Sequence, residues 1–274
     1  MSDLERNVAS APFGGATTYS RPVAVDEGLR TYLLHVYNYM ALGLAITGLA
    51  ALGIYMLSVT GELTAAAKIA RGDAMVAARI SGNLFYTPFG AAIFLGKLKW
   101  AIMLAPLAVV LAMSFGMARL RPAAAHLVFW IFAALMGLSL SAIFLVFTHD
   151  SIMRVFFIAA ASFGALSLWG YTTQRDLAGM GSFLLMGLFG VILASLVNLF
   201  MASSALQFAV SVVGVIVFAG LTAWDTQRLK NEYLYRAMDG ETAERAAILG
   251  ALSLYLNFIN LFTLLLQLLG QREE

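Results

Sequence analysis

The stretch Ala246-Ala-Ile-Leu-Gly-Ala-Leu-Ser253-Leu-Tyr-Leu-Asn257-Phe-Ile-Asn260-Leu-Phe-Thr-Leu-Leu-Leu-Gln267-Leu-Leu269 decides the fold. About 20 apolar residues in helical form cover a hydrocarbon core of about 30 Å. Its main polar side chains, Ser253, Asn257, Asn260 and Gln267, recur at steps of four, three and seven. As a helix they share one face. A polar stripe on an otherwise apolar span belongs against other protein rather than lipid. One reading makes it interhelical hydrogen bonding, about 1 kcal/mol per contact or less. The other makes it the lining of an ion or proton path.

Working outward, six similar runs precede it: 32–59, 99–117, 123–147, 152–171, 180–201 and 205–224. Outer-membrane strands would be about 10 residues long and alternate in polarity, which these runs do not. The expectation is an all-α membrane protein of seven transmembrane helices spanning 31–271, the seventh at 246–269, after a flexible polar tail at 1–30. Ser203 and Ser204 mark a near-hairpin between the fifth and sixth runs. Pro106 predicts a kink in the second.

Composition excludes the alternatives. Of 274 residues, 61% are hydrophobic and 12% charged, against roughly 45–50% and 25% in soluble domains. Mean hydropathy is +0.84. Disorder requires the opposite balance. A net charge of +2 is too small and scattered for a nucleic-acid partner. The chain has no cysteine, which removes disulfides, thiolate catalysis and Cys-ligated metals. His35, His126 and His149 form no ligand spacing.

Two connections are long. In 60–98, Ala65 to Ile80 reads as an amphipathic surface helix carrying Lys68, Arg71 and Arg79. Phe85 to Leu95 is too short to span and reads as re-entrant, interfacial, or an early start to the second helix. The connection from Asp225 to Arg245 reads as mixed-charge and solvated. Arg6, Arg21, Arg30, Arg119, Arg121, Arg175, Arg228, Lys230, Arg236 and Arg245 fall on one side of a seven-span topology. The other side carries Arg154, Arg272 and the long first connection with Lys68, Arg71, Arg79, Lys97 and Lys99, which weakens the contrast. Without that connection the bias is clear, and it predicts a cytoplasmic N-terminus and an outside C-terminus.

Ionisable groups inside apolar runs are functional candidates by default. Asp225, at the end of the sixth run, is either interfacial and paired with Arg228 at i+3, or buried if the helix continues to Leu229. Asn198 is a further polar residue in the fifth run. Arg119 and Arg121 close the second run, as snorkelling anchors or as counter-ions to a buried carboxylate. Enzymatic readings find no support. A second facing aspartate is lacking for an aspartyl protease, and no histidine is placed beside Ser139 or Ser141.

Four stretches, in this order, carry a resemblance. They are Gly170-Tyr-Thr-Thr-Gln-Arg-Asp176-Leu-Ala-Gly179, Ile192-Leu-Ala-Ser-Leu-Val-Asn198, Leu221-Thr-Ala-Trp-Asp225-Thr-Gln-Arg-Leu-Lys230, and Ile248 to Phe262. His35-Val-Tyr-Asn-Tyr-Met40 also fits. Together they resemble the transmembrane Bax-inhibitor-motif family in its bacterial branch, over nearly all the chain after the tail. The first connection is longer than the family leads one to expect.

The resemblance implies six helices around a central seventh in the bacterial inner membrane, and a pH-sensitive calcium leak. There, an aspartate on helix six shares a proton with one on helix seven, and an arginine ending helix two engages the first. Asp225 matches the first aspartate and Arg119 the arginine. Asn257 stands where the second aspartate would be. Calcium prefers several oxygen ligands including carboxylates, so Asp225 alone implies a weak Ca2+ site and an altered pH response. Asn260, Asn198, Ser253, Arg228 and Asp176 are expected to support this centre. No cofactor is expected, Ca2+ being a permeant ion. The resemblance also allows a second role, a non-conducting protein that binds and modulates a membrane protease or other membrane partner.

Overall fold

A computed structural model of the chain describes residues 23–71, 74–81, 83–116, 121–235 and 240–273. Helix α1 (Val23–Ser58) is followed by five short strands, β1 (Val59–Thr60), β2 (Lys68–Arg71), β3 (Ala74–Ala77), β4 (Arg79–Ser81) and β5 (Leu84–Tyr86). Seven more helices complete the order: α2 (Pro88–Phe94), α3 (Leu98–Gly116), α4 (Pro122–Leu140), α5 (His149–Thr172), α6 (Ala178–Met201), α7 (Ser204–Tyr235) and α8 (Gly240–Leu269).

Among the described residues, six helices are long and apolar enough to cross a membrane. They are α1, α4 with its 3-10 extension to Leu145, α5, α6, α7 and α8. The expected second span is the exception. Helices α2 and α3 qualify only together and are bent by 61°. The bend falls between Phe94 and Leu98, while α3 passes through Pro106 as one helix.

Three other expectations change. The segment 65–80 is not an amphipathic helix. It forms the antiparallel hairpin β2–β3, with Ile69 opposite Val76, as a two-stranded sheet separate from the three-stranded sheet in the order β1-β5-β4. Ala67 donates to Tyr86, Tyr86 to Ala78, and Ala78 to Ala67, all through backbone N–H groups at 2.7–2.8 Å. Alanine, methionine and lysine favour helix locally, but these tertiary hydrogen bonds override propensity. The expected 1–30 tail overlaps α1, which begins at Val23. Residues 1–22 lie outside the described residues. Last, 225–245 is not a solvated connection. Helix α7 runs to Tyr235 and α8 starts at Gly240.

Local signals explain the joints. Thr87 caps α2 by accepting from the Gly90 N–H at 3.0 Å, with Pro88 in the first turn, where its missing N–H costs nothing. Ala202 closes α6 with a φ of 50°, a conformation that disfavours a Cβ. Asn198 holds it there. Its backbone carbonyl accepts from Ala202 and its side-chain oxygen accepts from the Ser203 N–H.

Helix α8 is the hub. Its apolar window is 72% buried, against 11% for α6, and it packs on α1, α4, α5 and α7. Tyr255 is fully buried there. It meets Phe129 and Phe132 edge to face, and its hydroxyl lies 2.7 Å from Thr47 Oγ1.

Two glycines set the spacing around α7. A Cβ on Gly170 would lie 2.2 Å from the Ala223 carbonyl oxygen, and one on Gly181 would lie 2.3 Å from the Trp224 ring. Gly170→Ala is expected to lower stability by about 1–3 kcal/mol or more through overpacking. Gly190→Ala, which meets open space, should not. Thermal unfolding of both variants in detergent checks this.

Candidate functional site

Helix α7 contains 32 residues, about 48 Å at 1.5 Å each. Its apolar part ends at Trp224, yet protein encloses Asp225, which is 3% exposed. Of the two placements open from the sequence, the buried one holds, because the helix continues ten residues beyond Asp225.

The carboxylate is held chiefly by α8. Oδ2 accepts from Asn257 Nδ2 at 2.7 Å and from Ser253 Oγ at 3.0 Å. Ser253 and Asn257 are one helical turn apart, so both reach the same oxygen. Arg228 Nη2 lies 2.8 Å from Oδ1. That approach is out of line, so it is an ion pair without a hydrogen bond, and among the described residues Oδ1 has no hydrogen-bond donor. The expected Asp225–Arg228 pair therefore exists, but it is not an ordinary surface pair. Its acid is buried and its guanidinium half-exposed. Arg228 also lies over the Trp224 ring, 5.0 Å from the centroid. Two donors and one cation compensate a charge that would otherwise be costly to bury.

The remaining candidates divide by place. Asn260 does not join the centre. Its Nδ2 donates to the Leu256 carbonyl one turn back on its own helix. Asn198 and Gln267 belong to a separate network near the α6–α7 turn. There Asn198 Nδ2 donates to Gln207 Oε1 at 3.0 Å, and Ser211 Oγ donates to Gln267 Oε1 at 2.9 Å. The α8 stripe is thus two sites and one back-bonded residue. Asp176 does not reach Asp225 either. Its Oδ1 accepts from the Ala178 N–H at 2.9 Å at the start of α6. Arg119 lies outside the described residues. Arg121 is exposed at the start of α4.

Sequence reasoning missed Gln227 and Lys230. Gln227 Oε1 accepts from the Leu177 N–H and its Nε2 donates to the Arg175 carbonyl, both at 2.8 Å. Lys230 donates to the Tyr171 carbonyl at 2.7 Å. These two residues pin the α5–α6 turn to α7, one turn beyond Asp225. The signal was present, since Gln227 and Lys230 lie within the stretch quoted for resemblance. A second polar group missed is Tyr37, hydrogen-bonded to Ser167, whose Oγ lies 3.0 Å from Thr226 Oγ1.

Among the described residues, no three His, Cys, Asp or Glu side chains gather to hold a metal ion. Residues 29–274 match the family described as inhibitor of apoptosis-promoting Bax1. The chain belongs to the Bax inhibitor-1 family. An uncharacterized Rickettsia prowazekii protein is 44% identical over 258 residues, 94% of this chain and 97% of the relative. An uncharacterized Caulobacter vibrioides protein is 40% identical over the whole of both chains. Inner membrane protein YbhL of Escherichia coli K12 is 40% identical over 248 residues, 90% of this chain and 94% of the relative.

Removing a donor from a buried carboxylate costs about 1–3 kcal/mol. Asn257→Leu and Ser253→Ala are expected to lose stability in that range. Asn260→Leu, which breaks only an intrahelical bond, should lose less than about 1 kcal/mol. Denaturation midpoints in one detergent distinguish them.

Proposed function

We propose that this protein is a cation leak of the bacterial inner membrane, passing calcium in a pH-sensitive manner, with Asp225 as the group that meets the ion. One observation carries the reading. A carboxylate buried between the hub helix and its neighbour is held by two uncharged donors and one half-exposed cation, Arg228. Such a clasp can be exchanged. If Asn257, Ser253 and Arg228 release the carboxylate, its oxygens become ligands for a passing divalent ion.

Asn257 tunes the site. Two carboxylates at this distance would share a proton, because both cannot easily ionise together. Asn257 instead donates to Asp225 and carries no charge of its own, so the leak is less proton-gated and binds calcium more weakly. Among the described residues no further His, Cys, Asp or Glu side chains gather with Asp225 to hold a metal, which fits a permeant ion better than a resident one. The bent α2–α3 pair counts as one span in this reading. Seven spans put the two termini on opposite sides, and the Lys/Arg distribution favours a cytoplasmic N-terminus and an outside C-terminus. YbhL, described as an inner membrane protein, supports the location.

A second reading rests on the same substitution. With Asn257 donating, Oδ2 is satisfied without any ion. The protein would then be a non-conducting, non-enzymatic partner of a membrane protease or another membrane protein.

Calcium flux into proteoliposomes between pH 6 and 8 separates the two. Asp225→Asn is expected to cut flux about tenfold or more, the factor that 1.4 kcal/mol commands. Asn257→Asp should steepen the pH dependence. Flux no greater than that of empty vesicles favours the partner role. For topology, the chain has no cysteine, so Ser2→Cys and Glu273→Cys can each be labelled alone. Labelling from opposite sides of the membrane is expected. Labelling from the same side would remove the α2–α3 span.

A further inference from the structure

Helices α1 and α5 face each other along the bundle, yet among the described residues they do not pack closely. A cleft of about 540 Å3 separates them at the end where α1 begins and α5 finishes. A second cavity, of about 390 Å3, continues the seam between Leu44, Gly48, Ile152 and Phe156. Both volumes fall within the range of small-molecule sites, about 300–1,000 Å3.

The first cleft is amphiphilic. Its sides are Leu33 and Leu34 of α1 and Phe163 and Leu168 of α5. Leu34 and Leu168 are exposed at its rim, so it opens toward lipid rather than into the bundle. Tyr37 and Ser167 are hydrogen-bonded across its depth, which closes it from the interior and satisfies its hydroxyls. Gly164 borders the groove, where an added Cβ would meet nothing within 4 Å. Arg30 stands at the mouth, and among the described residues no carboxylate pairs with it. Lys230 lies over Tyr171 of the same rim, 5.2 Å from the ring centroid. A cationic mouth above an apolar trough selects an anionic head on a hydrocarbon tail. Water does not fill such a trough at hydrocarbon depth, and guanidinium groups bind phosphate through paired hydrogen bonds.

We propose that the α1–α5 cleft is a binding site for one anionic phospholipid, with its phosphate at Arg30 and an acyl chain lying along Gly164. The lipid completes the packing that the two helices lack, from the leaflet at the Arg30 end. This site is separate from Asp225 and does not depend on the chain conducting ions.

The test is native mass spectrometry of the full chain released from detergent with either phosphatidylglycerol or phosphatidylcholine. One phosphatidylglycerol should be retained in preference to phosphatidylcholine. Arg30→Gln should weaken that retention about fivefold, the share of one basic residue near an anionic surface, and Arg30→Lys should largely restore it. Gly164→Leu should abolish it by filling the groove. Gly190→Leu makes the same exchange on α6, also facing open space, and should leave retention intact. Equal retention of both lipids overturns the proposal. So does undiminished phosphatidylglycerol binding in Gly164→Leu. If Gly164→Leu does not fold, the Arg30 pair decides alone. Retention only after deletion of residues 1–22 would also overturn it, because the chain's own N-terminal segment would then be the occupant.

Discussion

A negative charge buried between two helices is the constraint on which this architecture depends. Asp225 cannot be left unpaired away from water, since an isolated ionised carboxylate in a low-dielectric interior is prohibitively costly. Its compensation comes from Ser253 and Asn257 on α8 and from Arg228 one turn on. Two donors a helical turn apart fix both the rotation and the height of α8 against α7. A shift of one residue along either helix would remove them. The hub therefore holds its register through a polar contact, although most of its surface is apolar.

The neighbouring helices close around that contact by approaching α7 with almost no side chain between. Gly170 brings α5 onto the Ala223 carbonyl and Gly181 brings α6 onto the Trp224 ring. Between apolar helices in lipid, association comes from close packing and hydrogen bonds rather than from expulsion of water. Gln227 and Lys230 then tie down the turn joining α5 to α6. Tyr32 of α1 stacks on Tyr233 at 5.1 Å beyond it. The far end of α7 is held by a different device, the amide network of Asn198, Gln207 and Gln267. The two ends are thus secured by unlike chemistry, one charged and one neutral. The α1–α5 seam is the exception to this close packing, where neither glycine contact nor hydrogen-bond network draws the helices together over most of their length.

Much of this was legible in the residues. Run length marked six of the expected spans, because hydrocarbon thickness imposes about 20 residues whatever the rest of the fold does, but the run 99–117 qualifies only together with the bent α2. The Asp225, Ser253 and Asn257 positions were identified as candidates from polarity in apolar surroundings and from the family pattern. The segment 65–80 was not legible, because its helix-favouring residues are overruled by backbone hydrogen bonds to Tyr86 and Ala78. Nor was the extent of α7. Polar residues 226–235 look like a loop on hydropathy alone, yet they form buried helix where Thr226, Gln227 and Leu229 meet other elements.

The sequence by itself determined that this is a helical membrane protein with one candidate acid at the end of an apolar run, because burial of backbone in lipid leaves few other solutions. Only the tertiary structure decided which polar residues meet. Ser253, Asn257, Asn260 and Gln267 share a helical face, but the face of one helix does not say what stands opposite. The packing sent the first two to Asp225, left Asn260 bonded to its own backbone, and took Gln267 to the other end of α7. Helical periodicity is a property of one chain segment, whereas a hydrogen bond between helices needs the position of both.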